Sequence, residues 1–222
     1  SMPPSKLAMI PFSAALGACR SRTPLPTAQA SSVSAGLHWG LKRVMRANVI
    51  LLAGNGSEMA ELEIAALTVG EGTLAIASLP GRGGDLKGDL ARFGELKPSL
   101  VLTMVTDAEL EDVGASQFGY DVQGLGCRWA HLPVVDYGVP SDEALAHWVE
   151  VSAMARAALK GGGRVIVHCK GGCGRSGMAA LRLMIEAGEA PDAALKCLRS
   201  VRPCAVETAD QFNWAIAASS AP

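Results

Sequence analysis

The sequence Arg164-Val165-Ile166-Val167-His168-Cys169-Lys170-Gly171-Gly172-Cys173-Gly174-Arg175-Ser176-Gly177 decides the fold of this chain. Its β-branched run, residues 165–167, predicts a buried parallel strand that is covered on both faces. A glycine-rich loop follows, and residues 178–185 have the pattern of a helix. This arrangement can bind an anion, because glycine lets successive backbone N–H groups turn inward and a helix N-terminus carries a partial positive charge.

Two side chains indicate what the loop does with an anion. Cys169 opens it and Arg175 closes it. A ring of N–H donors, an arginine and a helix N-terminus favour the thiolate form of a cysteine, which is a nucleophile. The guanidinium of Arg175 can hold two phosphoryl oxygens at once, and this geometry suits phosphoryl transfer through a phosphocysteine. The candidate phosphate-binding residues are Lys170, Gly171, Gly172, Cys173, Gly174 and Arg175.

Residues 168–176 resemble the signature loop of the cysteine-dependent protein phosphatases, the tyrosine and dual-specificity superfamily. A histidine, a cysteine, loop glycines, an arginine and a hydroxyl stand in that family's order after a strand. The resemblance implies catalysis by Cys169 and Arg175 without a metal or another cofactor. Two alternatives are a plain turn with a buried structural cysteine and a metal site formed by His168, Cys169 and Cys173, whose ligand spacing is poor.

Asp136 is the candidate general acid. It lies in residues 132–140, after a run of apolar residues and before Gly and Pro turn residues. A departing oxygen needs a proton, which a carboxylic acid on a loop can donate before it deprotonates the attacking water. In the family that the chain resembles, such an acid precedes the cysteine at about this distance. A turn-forming role is the alternative, and the nearest rivals, Asp142 and Glu143, better suit the first turn of a helix.

The sequence allows two interpretations for each of three further residues. Ser176 can donate to the thiolate and help sulfur leave phosphorus, or it can cap the helix. Cys173 can trap an oxidised Cys169 as a disulfide, although a side chain that simply points out of the loop is the favoured interpretation. Gln211 can lie near the active-site water, but a capping box with Thr208 is preferred.

Segments typical of strands and of helices alternate from residue 61 onward. Predicted strands are residues 62–67, 73–77, 100–105, 128–133 and 165–167, and helices are predicted near residues 85–93, 106–110, 142–159, 178–185, 191–201 and 208–216. This alternation predicts an α/β fold with a mainly parallel central sheet flanked by helices. The phosphate-binding loop is placed between a buried strand and a helix.

The charge divides the chain into two predicted parts. Residues 1–57 hold six basic and no acidic residues, whereas residues 58–222 hold all 21 acids and form the predicted phosphatase domain. Three interpretations of the first part stay open: a disordered or loosely docked extension, a targeting presequence, and a segment upstream of a natural start near Met59.

Composition narrows the classes of partner. A net charge of −1 gives no reason to expect nucleic acid or a membrane surface, and no apolar run approaches the roughly 20 residues that span a bilayer. The six cysteines are scattered rather than dense. A chemistry that needs a reduced thiol suits a cytoplasmic location.

Residues 70–218 are most similar to the kinase-associated dual-specificity phosphatases. The resemblance rests on residues 74–81, 133–140 and 168–176, and it implies a phosphorylated protein substrate, such as a kinase. A tyrosine-rich recognition loop is missing, which indicates a shallow pocket open to phospho-Tyr and phospho-Ser/Thr. Lys170 leaves a phosphatase of phosphoinositides or other small phosphorylated molecules as one alternative, and a catalytically silent phospho-binding module is another.

Overall fold

The structure is a computed structural model that describes residues 62–220, and the side chains of residues 62–218. The predicted basic extension, residues 1–57, and the predicted domain start at residue 58 therefore lie outside the described residues. Within the described part, no helix combines the length and the apolar character needed to cross a membrane.

Five strands form one sheet in the order β1-β2-β5-β3-β4. The strands are β1 (Ile64–Val69), β2 (Gly72–Ala77), β3 (Leu100–Thr103), β4 (Arg128–His131) and β5 (Arg164–His168). The helices are α1 (Leu86–Glu95), α2 (Asp107–Asp112), α3 (Phe118–Gly124), α4 (Asp142–Lys160), α5 (Gly174–Glu186), α6 (Pro191–Val201) and α7 (Ala209–Ile216), followed by a 3₁₀ turn, Ala217–Ser220.

Only β1 runs antiparallel in this sheet, paired with its neighbour β2. The pairings of β2 with β5, β5 with β3 and β3 with β4 are all parallel. In β5, the central strand, residues 165–168 are fully buried, as expected for a strand with helices on both faces. The predicted mainly parallel α/β sheet flanked by helices is confirmed.

A polar cluster inside the helical layer fixes the C-terminal helix. Glu186 Oε1 accepts hydrogen bonds from Trp148 Nε1 at 2.9 Å and from Arg182 Nε at 3.0 Å. The Arg182 guanidinium lies 4.3 Å from the ring centroid of Trp214, and its Nη1 donates to the Trp214 carbonyl. These contacts join α4, α5 and α7. They hold α7 in a fixed place beside the phosphate-binding loop, residues 169–175, which we call the phosphate loop.

The predicted helix signals are mostly confirmed. Ser141 accepts a hydrogen bond from the Ala144 N–H at the start of α4, and that helix ends at Gly161. The sequence did not predict α3, which has two glycines and no side-chain cap. It is stabilised by packing instead, because Phe118 and Val122 are buried.

Candidate active site

Three strand ends bring the site together. Cys169 directly follows β5, Asp136 follows β4 on a loop, and Glu109 lies in α2, which follows β3. These three strands are parallel neighbours in the sheet, so their carboxyl ends meet at one edge. Residues that are 27 to 60 positions apart in the sequence therefore share one site.

The phosphate loop presents free donors on one side and bound acceptors on the other. The backbone N–H groups of residues 170–175 have no acceptor among the described residues. By contrast, the carbonyl of Lys170 accepts from the Leu79 N–H at 3.2 Å, and that of Cys173 accepts from the Val206 N–H at 3.3 Å. An anion would supply the acceptors that these N–H groups lack.

Arg202 holds the outer side of the same loop. Its Nη2 donates to the Gly171 carbonyl at 2.7 Å, and its Nε donates to the Gly172 carbonyl at 2.9 Å. The guanidinium also pairs with Glu63, just before β1. Gly172 has φ of +69°, and a Cβ there would lie 2.7 Å from the backbone of Ala77. Only glycine therefore lets the loop pass this close to β2.

A disulfide joins Cys173 to Cys204, which lies between α6 and α7. In this structure Cys173 is not bonded to Cys169, which is a free cysteine, so the interpretation of Cys173 as a disulfide partner of Cys169 is wrong here. The side chain of Cys173 points out of the loop, as the favoured interpretation expected, but its bond to Cys204 was not indicated by the sequence. The metal-site alternative loses the Cys173 thiol as a ligand for the same reason. Cys204 is exposed, whereas Cys173 is half-buried.

The thiol of Cys169 is nearly buried, with 3% of its surface exposed. Its sulfur lies 3.2 Å from the Ser176 hydroxyl oxygen, within hydrogen-bonding distance. The N-cap of α5 is Cys173, so Ser176 lies inside the helix and the predicted capping role is wrong. Its fully buried hydroxyl is left to interact with the thiol.

Arg175 is buried among three acceptors. Its two terminal nitrogens bind both carboxylate oxygens of Glu109, at 2.7 and 2.9 Å, and Nη1 also donates to the Val134 carbonyl at 2.9 Å. Nη2 lies 3.1 Å from Asp136 Oδ1. Nε is buried and has no partner among the described residues, so one donor stays available for an anion.

These contacts shift the pKa values of both partners. Burial raises the pKa of Glu109, but the hydrogen bonds from Arg175 and from Thr106, together with the Arg175 charge, lower it by more, so that it falls from 4.5 to about 2. Burial lowers the pKa of the Arg175 guanidinium, whereas hydrogen bonding to Glu109 and the charges of Cys169, Glu109 and Asp136 raise it by more. The guanidinium of Arg175 is therefore charged and held in one orientation.

Glu109 was missed as a site residue in the sequence, where it was only part of a predicted helix start. One signal was present, namely the spacing of Thr106 and Glu109, which form the capping box of α2. One carboxylate oxygen of Glu109 accepts from the Thr106 N–H at 3.0 Å and also from Arg175. The capping box thus positions the carboxylate that positions the arginine.

His168 is neutral and serves the core. Burial lowers its pKa to about 3, assisted by the charges of His131 and Arg175. Its Nε2 lies 2.8 Å from the Thr103 hydroxyl, which accepts a hydrogen bond from Trp129 Nε1 at 2.9 Å. The Thr103 hydroxyl on β3 therefore contacts both side chains, and it links β3 to His168 on β5 and to Trp129 on β4.

Asp136 lies on an open loop, with its side chain 53% exposed. Gly138, two residues later, has a carbonyl that accepts from Gln211 Nε2 at 3.4 Å. The predicted capping box of Thr208 and Gln211 is confirmed, but Gln211 is fully buried rather than a surface residue. This contact links α7 to the Asp136 loop.

The remaining predicted residues lie at the edge of the site or away from it. Lys170 is exposed beside Cys169. The rival acids Asp142 and Glu143 occupy the first turn of α4, as their alternative interpretation expected. Neither forms an ion pair with Arg175 among the described residues, whereas Asp136 does.

Part of the chain is similar to two curated proteins. It matches "Cyclin-dependent kinase inhibitor 3" from Mus musculus with 34% identity over 94 residues and from Homo sapiens with 31% over 95 residues; each alignment covers 41% of this chain and 43% of the relative. The chain thus spans less than half the length of these curated relatives.

Solved structures share the fold. Kinase associated phosphatase, with its catalytic-site cysteine replaced by serine, superimposes with a TM-score of 0.62 and 22% identity, covering 71% of this chain and 94% of its own. Tk-PTP in its active form gives a TM-score of 0.53 and 26% identity, with 67% and 92% covered. PTPMT1 in complex with PI(5)P gives 0.54 and 20%, with 69% and 96% covered.

A family model describes most of the folded part. The model of the PTP-SAK family, "Swiss Army Knife protein, DSP-PTPase phosphatase domain", matches residues 69–214, from the end of β1 into α7. This segment is more than half of the chain and contains the phosphate loop, Glu109 and Asp136. The chain therefore belongs to the PTP-SAK family of dual-specificity-type phosphatase domains.

Proposed function

We propose that this protein hydrolyses phosphate monoesters on phosphoproteins through a phosphocysteine formed on Cys169. One observation carries the proposal: the N–H groups of residues 170–175 have no acceptor within the described part of the chain, while the carbonyls of residues 170–173 accept hydrogen bonds from outside the loop. A phosphoryl group fits this ring of donors, and the Nε of Arg175, which has no partner among residues 62–218, adds a charged one. Family membership agrees with this chemistry.

In the first step, the Cys169 thiolate attacks phosphorus. A sulfur–phosphorus bond forms and the bond from phosphorus to the substrate oxygen breaks. Asp136 gives its proton to the departing oxygen, which an alkoxide leaving group needs more than a phenoxide does. Arg175 and the loop N–H groups stabilise the charge on the equatorial oxygens of the transition state.

In the second step, water hydrolyses the phosphocysteine. Asp136, now ionised, takes a proton from the water as it attacks phosphorus, and the sulfur–phosphorus bond breaks. The Ser176 hydroxyl, 3.2 Å from the sulfur, donates a hydrogen bond to the leaving thiolate. Inorganic phosphate then leaves the loop, and the starting state of Cys169 is restored.

We propose phosphotyrosine and phosphoserine or phosphothreonine of a protein, such as a kinase, as the substrate class. Two similarities support this class: the curated relatives are named for inhibition of a cyclin-dependent kinase, and a solved neighbour is called kinase associated phosphatase. The exposed Asp136 loop is consistent with a protein substrate.

A phosphoinositide is the second candidate substrate. Lys170 is exposed next to the nucleophile and can bind an additional phosphate. PTPMT1, which shares the fold, was solved with PI(5)P.

The cytoplasmic location stays a prediction. The Cys173–Cys204 disulfide weighs against it, because such bonds are rare in cytosolic proteins.

A substrate panel tests the proposal. Phosphotyrosyl and phosphothreonyl peptides and phosphoinositides are compared at equal concentration, using the full chain and the Cys169→Ser and Cys127→Ser variants. Cys127 is a half-buried free cysteine outside the site, so it is the matched control. We expect peptide hydrolysis that Cys169→Ser abolishes and Cys127→Ser retains. Preference for phosphoinositides would favour the second candidate, and phosphopeptide binding without any turnover would favour the silent binding module.

A further inference from the structure

Apolar side chains are exposed around the candidate acid. Among the described residues, five large hydrophobic side chains are exposed, and three of them lie within residues 135–139. These three, which we call the apolar rim, are Val135 (66% exposed), Tyr137 (62%) and Val139 (37%). Single exposed apolar residues are ordinary, whereas a group of them at the mouth of a site is typical of a binding surface.

The backbone of the rim keeps the Tyr137 ring outside. Tyr137 has φ of +60°, a left-handed conformation that is unfavourable for a bulky residue. The turn is held on both sides, since the Gly138 N–H donates to the Val135 carbonyl at 3.0 Å and the Gly138 carbonyl accepts from Gln211. Packing within the described chain does not compensate for this conformation, because the ring is exposed.

We infer that the apolar rim binds an apolar side chain that flanks the phosphorylated residue of a polypeptide substrate. The inference rests on the proposed function and names its specificity. Asp136, between Val135 and Tyr137, must contact the departing oxygen of the substrate. Because Val135 and Tyr137 adjoin Asp136 in the chain, a polypeptide that brings this oxygen to Asp136 places its neighbouring residues within reach of the rim.

The chemistry of the rim separates the two candidate substrate classes. The headgroup of a phosphoinositide presents mainly hydroxyls and phosphates, which gain little from burial against Val135 or Tyr137. A leucine or phenylalanine next to the phosphorylated residue can bury its side chain there and pack against the tyrosine ring. Partial burial of such a side chain corresponds to a preference of roughly threefold to tenfold in affinity.

Binding to the full-length Cys169→Ser protein tests the inference without requiring turnover. Pairs of phosphotyrosyl peptides that differ only in the flanking residue, leucine or glycine, are titrated by calorimetry. Tyr137→Asn removes the ring and suits a left-handed backbone, whereas Tyr137→Phe keeps the ring and lacks the hydroxyl. Tyr120→Asn is the matched control, because Tyr120 is 78% exposed on α3.

We expect the leucine peptide to bind roughly threefold to tenfold more tightly than the glycine peptide, because the leucine side chain is partly buried on the rim. This preference should disappear in Tyr137→Asn and persist in Tyr137→Phe and in Tyr120→Asn. Equal affinity for the two peptides, or a preference that Tyr137→Asn retains, would overturn the inference. Sedimentation that shows a dimer dependent on Tyr137 would instead assign the rim to a second copy of this chain and also overturn it.

Hydrolysis and binding distinguish failure of the proposed function from failure of this inference. If the wild-type protein hydrolyses no phosphate ester but the Tyr137-dependent preference is present, the enzyme proposal fails and the binding inference holds. If hydrolysis of phosphopeptides is observed without this preference, the inference fails and the proposed function stands.

Discussion

Glu109→Gln should weaken both the stability and the activity of the protein. The change removes the charge that faces the buried Arg175 and one of the two carboxylate oxygens that bind its terminal nitrogens at 2.7 and 2.9 Å. The amide oxygen of glutamine can still accept one of these hydrogen bonds. The guanidinium then keeps the Val134 carbonyl and the exposed Asp136 as its other acceptors.

The size of the effect follows from the pKa of Glu109. Its value falls from 4.5 to about 2 in the folded protein. One pKa unit corresponds to about 1.4 kcal/mol, so the folded state favours the ionised carboxylate by at most about 3 kcal/mol. Because the side chain is partly exposed and glutamine keeps one hydrogen bond, we expect a loss of about 2 kcal/mol in the free energy of unfolding at pH 7.

Urea denaturation of both proteins between pH 7 and pH 3 measures this loss. The folded-state pKa of Glu109 is lowered, so its contribution is complete well above the unfolded-state value of 4.5 and declines as pH falls toward 2. The difference between wild type and Glu109→Gln should shrink in that range. The stability that neutral His168 contributes also declines, as pH falls from 6.5 toward about 3, but it is common to both proteins and cancels.

The control is Glu111→Gln, which changes an exposed acid on the same helix. This variant should differ from wild type by less than about 0.5 kcal/mol. Hydrolysis of a phosphopeptide should fall roughly tenfold or more in Glu109→Gln, because a misplaced arginine loses transition-state contacts. A stability difference that is zero at pH 7, or that stays constant down to pH 3, would refute the proposed role of the ion pair.

Three further perturbations have expected outcomes. Cys204→Ser, which removes the disulfide, should lower the free energy of unfolding by about 3 to 4 kcal/mol for a sequence separation of 31, seen by thermal denaturation with and without reductant. Gly172→Ala should abolish phosphate binding in calorimetry, whereas Gly124→Ala, at an open helical position, should retain it. Thr103→Val should destabilise the fold by about 2 kcal/mol because it leaves buried His168 without its hydroxyl partner, and Thr103→Ser should not.

The sequence predicted those parts of the site whose residues are contiguous in the chain. The buried strand, the glycine-rich loop and the helix after it are contiguous in residues 164–177, so hydrophobic pattern and spacing were enough. Asp136 was placed by turn signals and by the family that the chain resembles. The structure puts it 3.1 Å from Arg175, which is a contact that spacing alone could not give.

The supporting residues could not be predicted because they depend on tertiary contacts. Glu109 lies in α2, whereas Arg202 and Cys204 lie in the connection between α6 and α7, and these residues become informative only when the sheet and helices bring them to the loop. Nothing local distinguishes Arg202 from other surface arginines. Ser176 was assigned two roles because its sequence position allows a cap, and only the start of α5 at Gly174 decides between them.

The identity of the nucleophile is tested most directly by trapping the phosphoenzyme. Asp136→Asn is mixed with a small aryl phosphate and quenched in acid, and the protein is mapped by mass spectrometry, with and without mild reductant. An aryl leaving group needs little protonation, so the first step proceeds while hydrolysis of the intermediate is slowed. We expect one phosphoryl group on Cys169, and none in Cys169→Ser. Phosphate on a different residue, or turnover that persists in Cys169→Ser, would contradict catalysis by this thiol.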